Sequence, residues 1–169
     1  SLKTIFKNQI RNYDMKIYIA SPFFTEDQLS VVKKIEGVLG SLGIEFFSPR
    51  HIGVIKEMTA EEKKNKMHHI YKSNVDNIRD CKSMIVVLDW HDTGTIFELG
   101  YAAALKELSP SRFDKIITFT DKSKAVNLML RYAIDCHAIG CENLKDQIDI
   151  FKKEKTMSEE MKNFPEVSE

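Results

Sequence analysis

The stretch MIVVLDWHDTGTIFELGYAAA, residues 84–104, decides the fold class of this chain. An apolar run leads into a short polar loop with Asp89, Asp92 and Gly94, and a helical pattern opens at Thr95. A strand that passes through a short loop into a helix is the repeating unit of parallel α/β sheets. Such loops lie at the carboxyl edge of the sheet, where ligands bind. We therefore expect a functional site around this loop.

Alternating strands and helices continue on both sides of this stretch. The apolar runs predict strands at 16–20, 44–47, 83–88, 115–119 and 136–139. Helical spacing predicts helices at 26–39, 60–79, 95–108, 126–132 and 143–155, with a loop at 50–58. The alternation predicts a single α/β domain over residues 15–155, a parallel five-stranded sheet flanked by helices in a flavodoxin- or Rossmann-like arrangement.

The second helix and the two ends of the chain complete the domain prediction. The residues of helix 60–79 that share an apolar face, and that we expect to point inward, are Met67, Tyr71, Val75 and Ile78. We interpret residues 1–14 as an extension ahead of the domain. The tail 156–169 is charged and poor in apolar residues, so we expect it to be flexible.

Composition limits the classes of partner and cofactor. The chain has 25 Lys and Arg against 25 Asp and Glu among 169 residues, so no net charge attracts nucleic acid or an anionic membrane. No apolar run is long enough to span a bilayer and no signal peptide is visible, which favours a cytoplasmic protein. The three cysteines lack metal-ligand spacing, and neither GxGxxG nor GxxxxGKS/T occurs. We therefore predict neither a metal nor a cofactor.

Glu98 has two interpretations. Thr95 and Glu98 have the spacing of a capping box, in which each side chain binds a backbone donor near the other. The same carboxylate, at the carboxyl edge of the sheet, is also a catalytic candidate, and the helix dipole would keep it charged at neutral pH. Asp92 is either a turn residue or a second carboxylate beside a developing positive charge, such as the oxocarbenium ion of a breaking glycosidic bond.

Aromatic residues near the first strand also have alternative roles. Tyr18 is either a core residue or a group that orients Glu98. Phe23 and Phe24 follow the turn at Ser21-Pro22 and pack either on a helix or on a planar base.

Four segments, in this order along the chain, resemble the nucleoside 2-deoxyribosyltransferase family. They are KIYIASPFF (16–24), IYKSNVDNIRD (70–80), DTGTIFELGYA (92–102) and KAVNLM (124–129). The third is similar to the family pattern D-x-G-T-x-x-E-x-G-x-A. The resemblance extends over about residues 16–140 and implies the family's α/β fold.

The resemblance also implies a chemistry for these residues. Glu98 matches the nucleophile that attacks C1′ of a 2′-deoxynucleoside, releases the free nucleobase and forms a covalent deoxyribosyl-enzyme, which a second base resolves in a ping-pong reaction. Tyr18 matches the tyrosine that holds this nucleophile by a hydrogen bond. Asp92 matches the aspartate that binds the deoxyribose, and Gly94 of the same motif belongs with the substrate-binding residues.

Other matched positions concern the base and a second subunit. Phe23 matches an aromatic beside the base. Asn127 matches an asparagine that reaches the sugar in a neighbouring subunit's site, which implies a homo-oligomer with shared active sites. Asn74 departs from the family, because members commonly carry an aspartate there that is associated with protonation of the base. Either Asp76 replaces it through a helix shift, or Asp92 or water protonates the leaving base.

Two other functions compete with the transferase. Related hydrolases release the base from 2′-deoxynucleoside 5′-monophosphates, but they usually have a glycine- and arginine-containing phosphate loop after the first strand and a serine at the position of Asn127. A non-catalytic nucleotide-sensing module would keep the fold for binding alone. The presence of Glu98, Asp92 and Tyr18 together favours an enzyme over that module.

Overall fold

The computed structural model describes residues 15–53, 59–122, 125–153 and 167–168 of the chain. The strands are β1 (Ile17–Ala20), β2 (Phe46–Phe47), β3 (Ser83–Val87), β4 (Lys115–Thr120), β5 (Val126–Asn127), β6 (Cys136–Ile139) and β7 (Val167–Ser168). The helices are α1 (Glu26–Ser41), α2 (Ala60–Asp80), α3 (Thr93–Leu108), α4 (Leu128–Ala133) and α5 (Gly140–Lys153), with a 3₁₀ turn at Pro49–His51.

Five of these strands form one parallel sheet in the order β2-β1-β3-β4-β6. Residues of α1 and α5 pack on one face of this sheet, and residues of α2 and α3 pack on the other. The predicted parallel five-stranded sheet flanked by helices is thereby confirmed. The strand order reverses at β1, so the loops after β1 and β3 border a crevice at the carboxyl edge of the sheet.

The strands are apolar throughout because both of their faces are covered. In β1, Ile17 and Ile19 belong to the cluster under α1 and α5, whereas Tyr18 and Ala20 belong to the cluster under α2 and α3. The side chain of Tyr18 is 0% exposed. The alternation of β1 therefore directs the tyrosine toward the helices that follow β2 and β3.

The structure corrects the predicted inward face of α2. Val75 and Ile78 are buried, but Met67 and Tyr71 are 52% and 55% exposed. The ring of Tyr71 lies 6.2 Å from that of Phe97 on α3 instead of entering the core. Helical periodicity predicts which residues share one face of a helix. It does not predict how far along the helix other elements cover that face.

The boundaries of several elements also differ from the prediction. Helix α4 begins at Leu128 because the two preceding residues form β5, which pairs in parallel with β7. Part of the tail at 156–169 is therefore a short strand, at Val167–Ser168, where we expected flexibility. Helix α5 begins at Gly140, and the side chain of Asn143 accepts a hydrogen bond from the backbone N–H of Ile139.

Some predictions fall on parts of the chain outside the described residues. These are the extension 1–14, residues 54–58 of the predicted loop, and residues 156–166 and 169 of the tail. Among the described helices, none has the combined length and apolar character that a membrane span requires. Within the same described ranges, no group of three or more His, Cys, Asp or Glu side chains is arranged to hold a metal ion.

Candidate active site

A hydrogen bond between β1 and α3 lies at the centre of the site. The hydroxyl of Tyr18 donates to Oε1 of Glu98 at 2.7 Å, across 80 positions of sequence. The ring of Tyr18 stacks on Phe47 of β2 with 5.4 Å between centroids. Tyr18 is thus a core residue that also orients Glu98, so both of its alternative roles hold.

A second donor approaches the same carboxylate oxygen from α2. Nδ2 of Asn74 donates to Oε1 of Glu98 at 3.5 Å, the long limit of a hydrogen bond. Oδ1 of Asn74 is buried and has no hydrogen-bond partner in the described part of the chain. Both donors use Oε1, and the other carboxylate oxygen, Oε2, accepts no hydrogen bond among the described residues.

Asp92, and not Thr95, caps the N-terminus of α3. Oδ2 of Asp92 accepts hydrogen bonds from the backbone N–H of Thr95 at 2.7 Å and from its hydroxyl at 2.8 Å. The helix therefore begins at Thr93, two residues before the predicted start, and Glu98 lies in its second turn. The capping-box interpretation of Glu98 is wrong, because its carboxylate accepts from Tyr18 and Asn74 instead of the backbone.

Gly94 gives Asp92 the space to form this cap. A Cβ atom at Gly94 would lie 3.2 Å from Oδ2 of Asp92, closer than most such contacts. Both hydrogen bonds of Asp92 use Oδ2, so Oδ1 accepts no hydrogen bond among the described residues. One carboxylate oxygen of Asp92 thus forms the cap, and the other is left without a hydrogen bond from the described residues.

Burial dominates the electrostatics of Glu98. It raises the pKa of this carboxyl to about 7, the charge of Asp92 adds to the increase, and the Tyr18 hydrogen bond opposes it. The expectation of a fully charged carboxylate at neutral pH is therefore not met. The helix dipole acts within the first turn, and Glu98 lies beyond it. Burial and the charge of Glu98 raise the pKa of Tyr18 far above its ordinary value, so its hydroxyl remains a donor.

Asp76 and Phe23 are the other residues that the sequence associates with the base. Asp76 is exposed on α2 and pairs with Lys72 at 2.5 Å and with Arg79 at 3.5 Å, so it does not replace Asn74 beside the carboxylate. Phe23 is half-buried after β1, with its ring 4.9 Å from that of Phe24.

Asn127 caps α4 within its own chain. Its Oδ1 accepts a hydrogen bond from the backbone N–H of Met129 at 2.9 Å. The short helix that it begins carries Leu128, Met129 and Tyr132 with exposed side chains. The role predicted for Asn127 in a neighbouring subunit stays a prediction.

Sequence reasoning missed a buried polar cluster on β4 and β6. The ring of His137 lies between the hydroxyls of Thr118 and Thr120, at 2.7 Å from Nδ1 and 3.2 Å from Nε2. Burial lowers the pKa of His137 to about 4, so the ring is neutral at physiological pH. The signal was present as one histidine in an apolar strand beside a strand with two alternating threonines.

Comparisons with known proteins show the family and the fold of the chain. The family described as Nucleoside 2-deoxyribosyltransferase matches residues 17–161. A 2-deoxyribosyltransferase from Bacillus psychrosaccharolyticus is 29% identical, with a TM-score of 0.62 over 78% of this chain and 90% of that chain. A conserved protein from Enterococcus faecalis is 17% identical, with a TM-score of 0.61 over 80% and 97%, and shows the fold alone. No curated protein matches the chain.

The family match includes all the residues that form the site. It contains Tyr18 on β1, Asn74 on α2, and Asp92 and Glu98 at the start of α3. The described sheet order and the structural neighbour from Bacillus give the same fold. The chain therefore belongs to the nucleoside 2-deoxyribosyltransferase family.

Proposed function

We propose that this protein transfers 2-deoxyribose between nucleobases through a covalent bond to Glu98. The observation that carries the proposal is the 2.7 Å hydrogen bond from the buried Tyr18 hydroxyl to Glu98, in the second turn of the helix that follows β3. It fixes one oxygen of a carboxylate whose burial opposes ionisation. A desolvated, oriented carboxylate suits a nucleophile better than a helix cap.

The reaction has two displacements at C1′ of the deoxyribose. Oε2 of Glu98 bonds to C1′ as the bond from C1′ to the base nitrogen breaks, and its electron pair leaves with the base. A nitrogen of a second base then bonds to C1′, and the bond to Oε2 breaks. Two inversions give net retention. Oδ1 of Asp92 would accept a hydrogen bond from a sugar hydroxyl, and its negative charge would stabilise the cationic transition state.

A base-exchange assay tests this proposal. Incubation with 2′-deoxyinosine and free adenine or cytosine should yield 2′-deoxyadenosine or 2′-deoxycytidine. If only free base and deoxyribose form, whichever acceptor is supplied, the protein is a hydrolase, and 2′-deoxynucleoside 5′-monophosphates are then the substrates to compare. If neither exchange nor release occurs, a binding module becomes the better hypothesis.

Paired variants identify the nucleophile. Glu98→Gln should abolish exchange, because an amide forms no stable ester with the sugar. Glu107→Gln makes the same chemical change at an exposed position of α3 and should leave exchange unchanged. Substantial exchange by Glu98→Gln would exclude the covalent step.

We also propose that the protein is a homo-oligomer in which Asn127 serves a neighbouring subunit. Its position as the cap of the short helix α4, with exposed apolar side chains after it, supports this arrangement. Mixing Glu98→Ala with Asn127→Ala should restore part of the activity, because one mixed site contains both native residues. No recovery after demonstrated subunit exchange would exclude shared sites.

A further inference from the structure

Asn74 is the residue of the site whose hydrogen bonds are least complete. Its Nδ2 atom makes one long contact, 3.5 Å, with Oε1 of Glu98. Its Oδ1 atom is buried without a donor among the described residues. A buried acceptor without a partner has lost its hydrogen bonds to water and has formed none in the protein. A ligand that brings an N–H group would therefore stabilise it. The amide also has a second N–H available for an acceptor.

The surrounding groups do not supply a proton at this position. On β1, the Tyr18 hydroxyl is already donated to Glu98. At the start of α3, Asp92 acts as an acceptor for Thr95. On α2 itself, the carboxylate of Asp76 lies in an exposed ion pair with Lys72 and Arg79. Apart from Glu98, which acts as the nucleophile, none of these described groups is a free acid for a departing base.

We propose that Asn74 contacts the departing base and stabilises it by hydrogen bonds alone, so that the base takes its proton from water. The inference rests on the proposed transferase function. As Oε2 of Glu98 bonds to C1′, the C1′–N bond breaks and its electron pair remains on the base. Nδ2 of Asn74 donates to the base, and Oδ1 accepts an N–H of the base. A water molecule then gives the base a proton and leaves as hydroxide.

Two deoxynucleoside substrates, which donate the deoxyribose, separate protonation of the base from the rest of the reaction. The base of 2′-deoxyadenosine leaves with negative charge unless it is protonated. The base of 7-methyl-2′-deoxyguanosine is positively charged before it leaves and needs no proton. The ionisation of Glu98 affects both donors equally, so the ratio of their kcat/KM values reports only the treatment of the leaving base.

Asn74→Asp and Asn74→Ala should change this ratio in opposite directions. In Asn74→Asp, the introduced carboxyl lies beside Glu98, and like-charge repulsion lets the pair retain a proton for the base. At pH 6 we expect kcat/KM for 2′-deoxyadenosine, relative to the methylated donor, to rise at least about tenfold, the low end of general acid catalysis. In Asn74→Ala we expect the ratio to fall about fivefold, the effect of one lost hydrogen bond.

The pH profile gives an independent readout. For the wild-type protein, kcat/KM for 2′-deoxyadenosine should rise as Glu98 ionises around pH 7 and stay level to pH 9. Asn74→Asp should add a fall at alkaline pH as the introduced acid loses its proton.

The outcomes separate this inference from the proposed function. An alkaline fall in the wild-type profile for 2′-deoxyadenosine alone would show that another group protonates the base, and would overturn the inference. An unchanged donor ratio in both variants, with circular dichroism like that of the wild type, would also overturn it. Failure of the wild-type protein to release base from either donor would instead refute the proposed function.

Discussion

Replacing Glu98 with glutamine should stabilise the protein at alkaline pH while it abolishes turnover. Burial raises the pKa of Glu98 to about 7, whereas an ordinary glutamate titrates near 4.5. The folded chain therefore holds this proton more tightly than the unfolded chain. The stability that comes from the bound proton is fully present below pH 4.5 and is lost as the pH rises through 7. Glutamine is neutral throughout and keeps an oxygen for the Tyr18 hydroxyl.

The pKa values of Glu98 in the folded and unfolded chain set the magnitude of this stability difference. Each tenfold change in proton affinity is worth about 1.4 kcal/mol. The interval from 4.5 to about 7 therefore corresponds to about 3 kcal/mol in the free energy of unfolding. We expect wild type and Glu98→Gln to be nearly equal in stability at pH 4. At pH 8 the variant should be more stable by about 3 kcal/mol.

Urea unfolding followed by the fluorescence of Trp90 measures this difference. Trp90 is the one tryptophan of the chain and packs against the cluster between the sheet and α1. Glu107→Gln is the matched control, because it removes an exposed carboxylate from the same helix and should not change stability with pH. The reasoning is refuted if the stability difference between Glu98→Gln and wild type is the same at pH 4 and pH 8.

The remaining predictions concern the Tyr18 hydroxyl, the Asp92 cap and the ion pair between Arg50 and Glu36. Tyr18→Phe removes the hydrogen bond that lowers the pKa of Glu98. The midpoint of the kcat/KM profile against pH should therefore rise by about 1 pH unit. An unchanged midpoint would contradict this expectation. Asp92→Ala should lower the free energy of unfolding in urea by about 1 kcal/mol, because the helix loses its cap. Asp92→Asn keeps the cap and should lower it by only a few tenths of a kcal/mol. Equal losses in the two variants would argue against the cap. Arg50→Ala removes the guanidinium that donates to the carboxylate of Glu36 at 2.7 Å. We expect the free energy of unfolding to fall by about 2 kcal/mol in the same assay. An unchanged free energy of unfolding would show that the pair is solvated.

Much of the sheet was predictable because buried parallel strands need continuous apolar runs. The run before Asp89 and the strand around Tyr18 both lie where the sequence places them. The start of α3 was missed because Asp92 and Thr95 are both good N-cap residues, and only the backbone decides between them. The sequence also left the role of Glu98 open, since its hydrogen-bond partner lies 80 positions away.

Tertiary context explains the other differences. Met67 and Tyr71 have the spacing of buried residues, yet the surface that covers α2 does not reach them. The raised pKa of Glu98 depends on how deeply α3 packs, which no spacing in the sequence reveals. The proposed role of Asn127 depends on a second copy of the chain, so neither the sequence nor one subunit tests it.

The direction of the strands decides where the protein can be attached to a carrier. The chain enters β1 at the amino edge of the sheet, and the strand then runs four residues, about 13 Å, to the carboxyl edge that borders the crevice. Strand β7 pairs with Val126–Asn127, which follows the carboxyl end of β4 along the chain. We therefore expect a tag or support joined ahead of residue 15 to be farther from the crevice than one joined after Ser168. We expect immobilisation through the amino-terminal side to obstruct the crevice less.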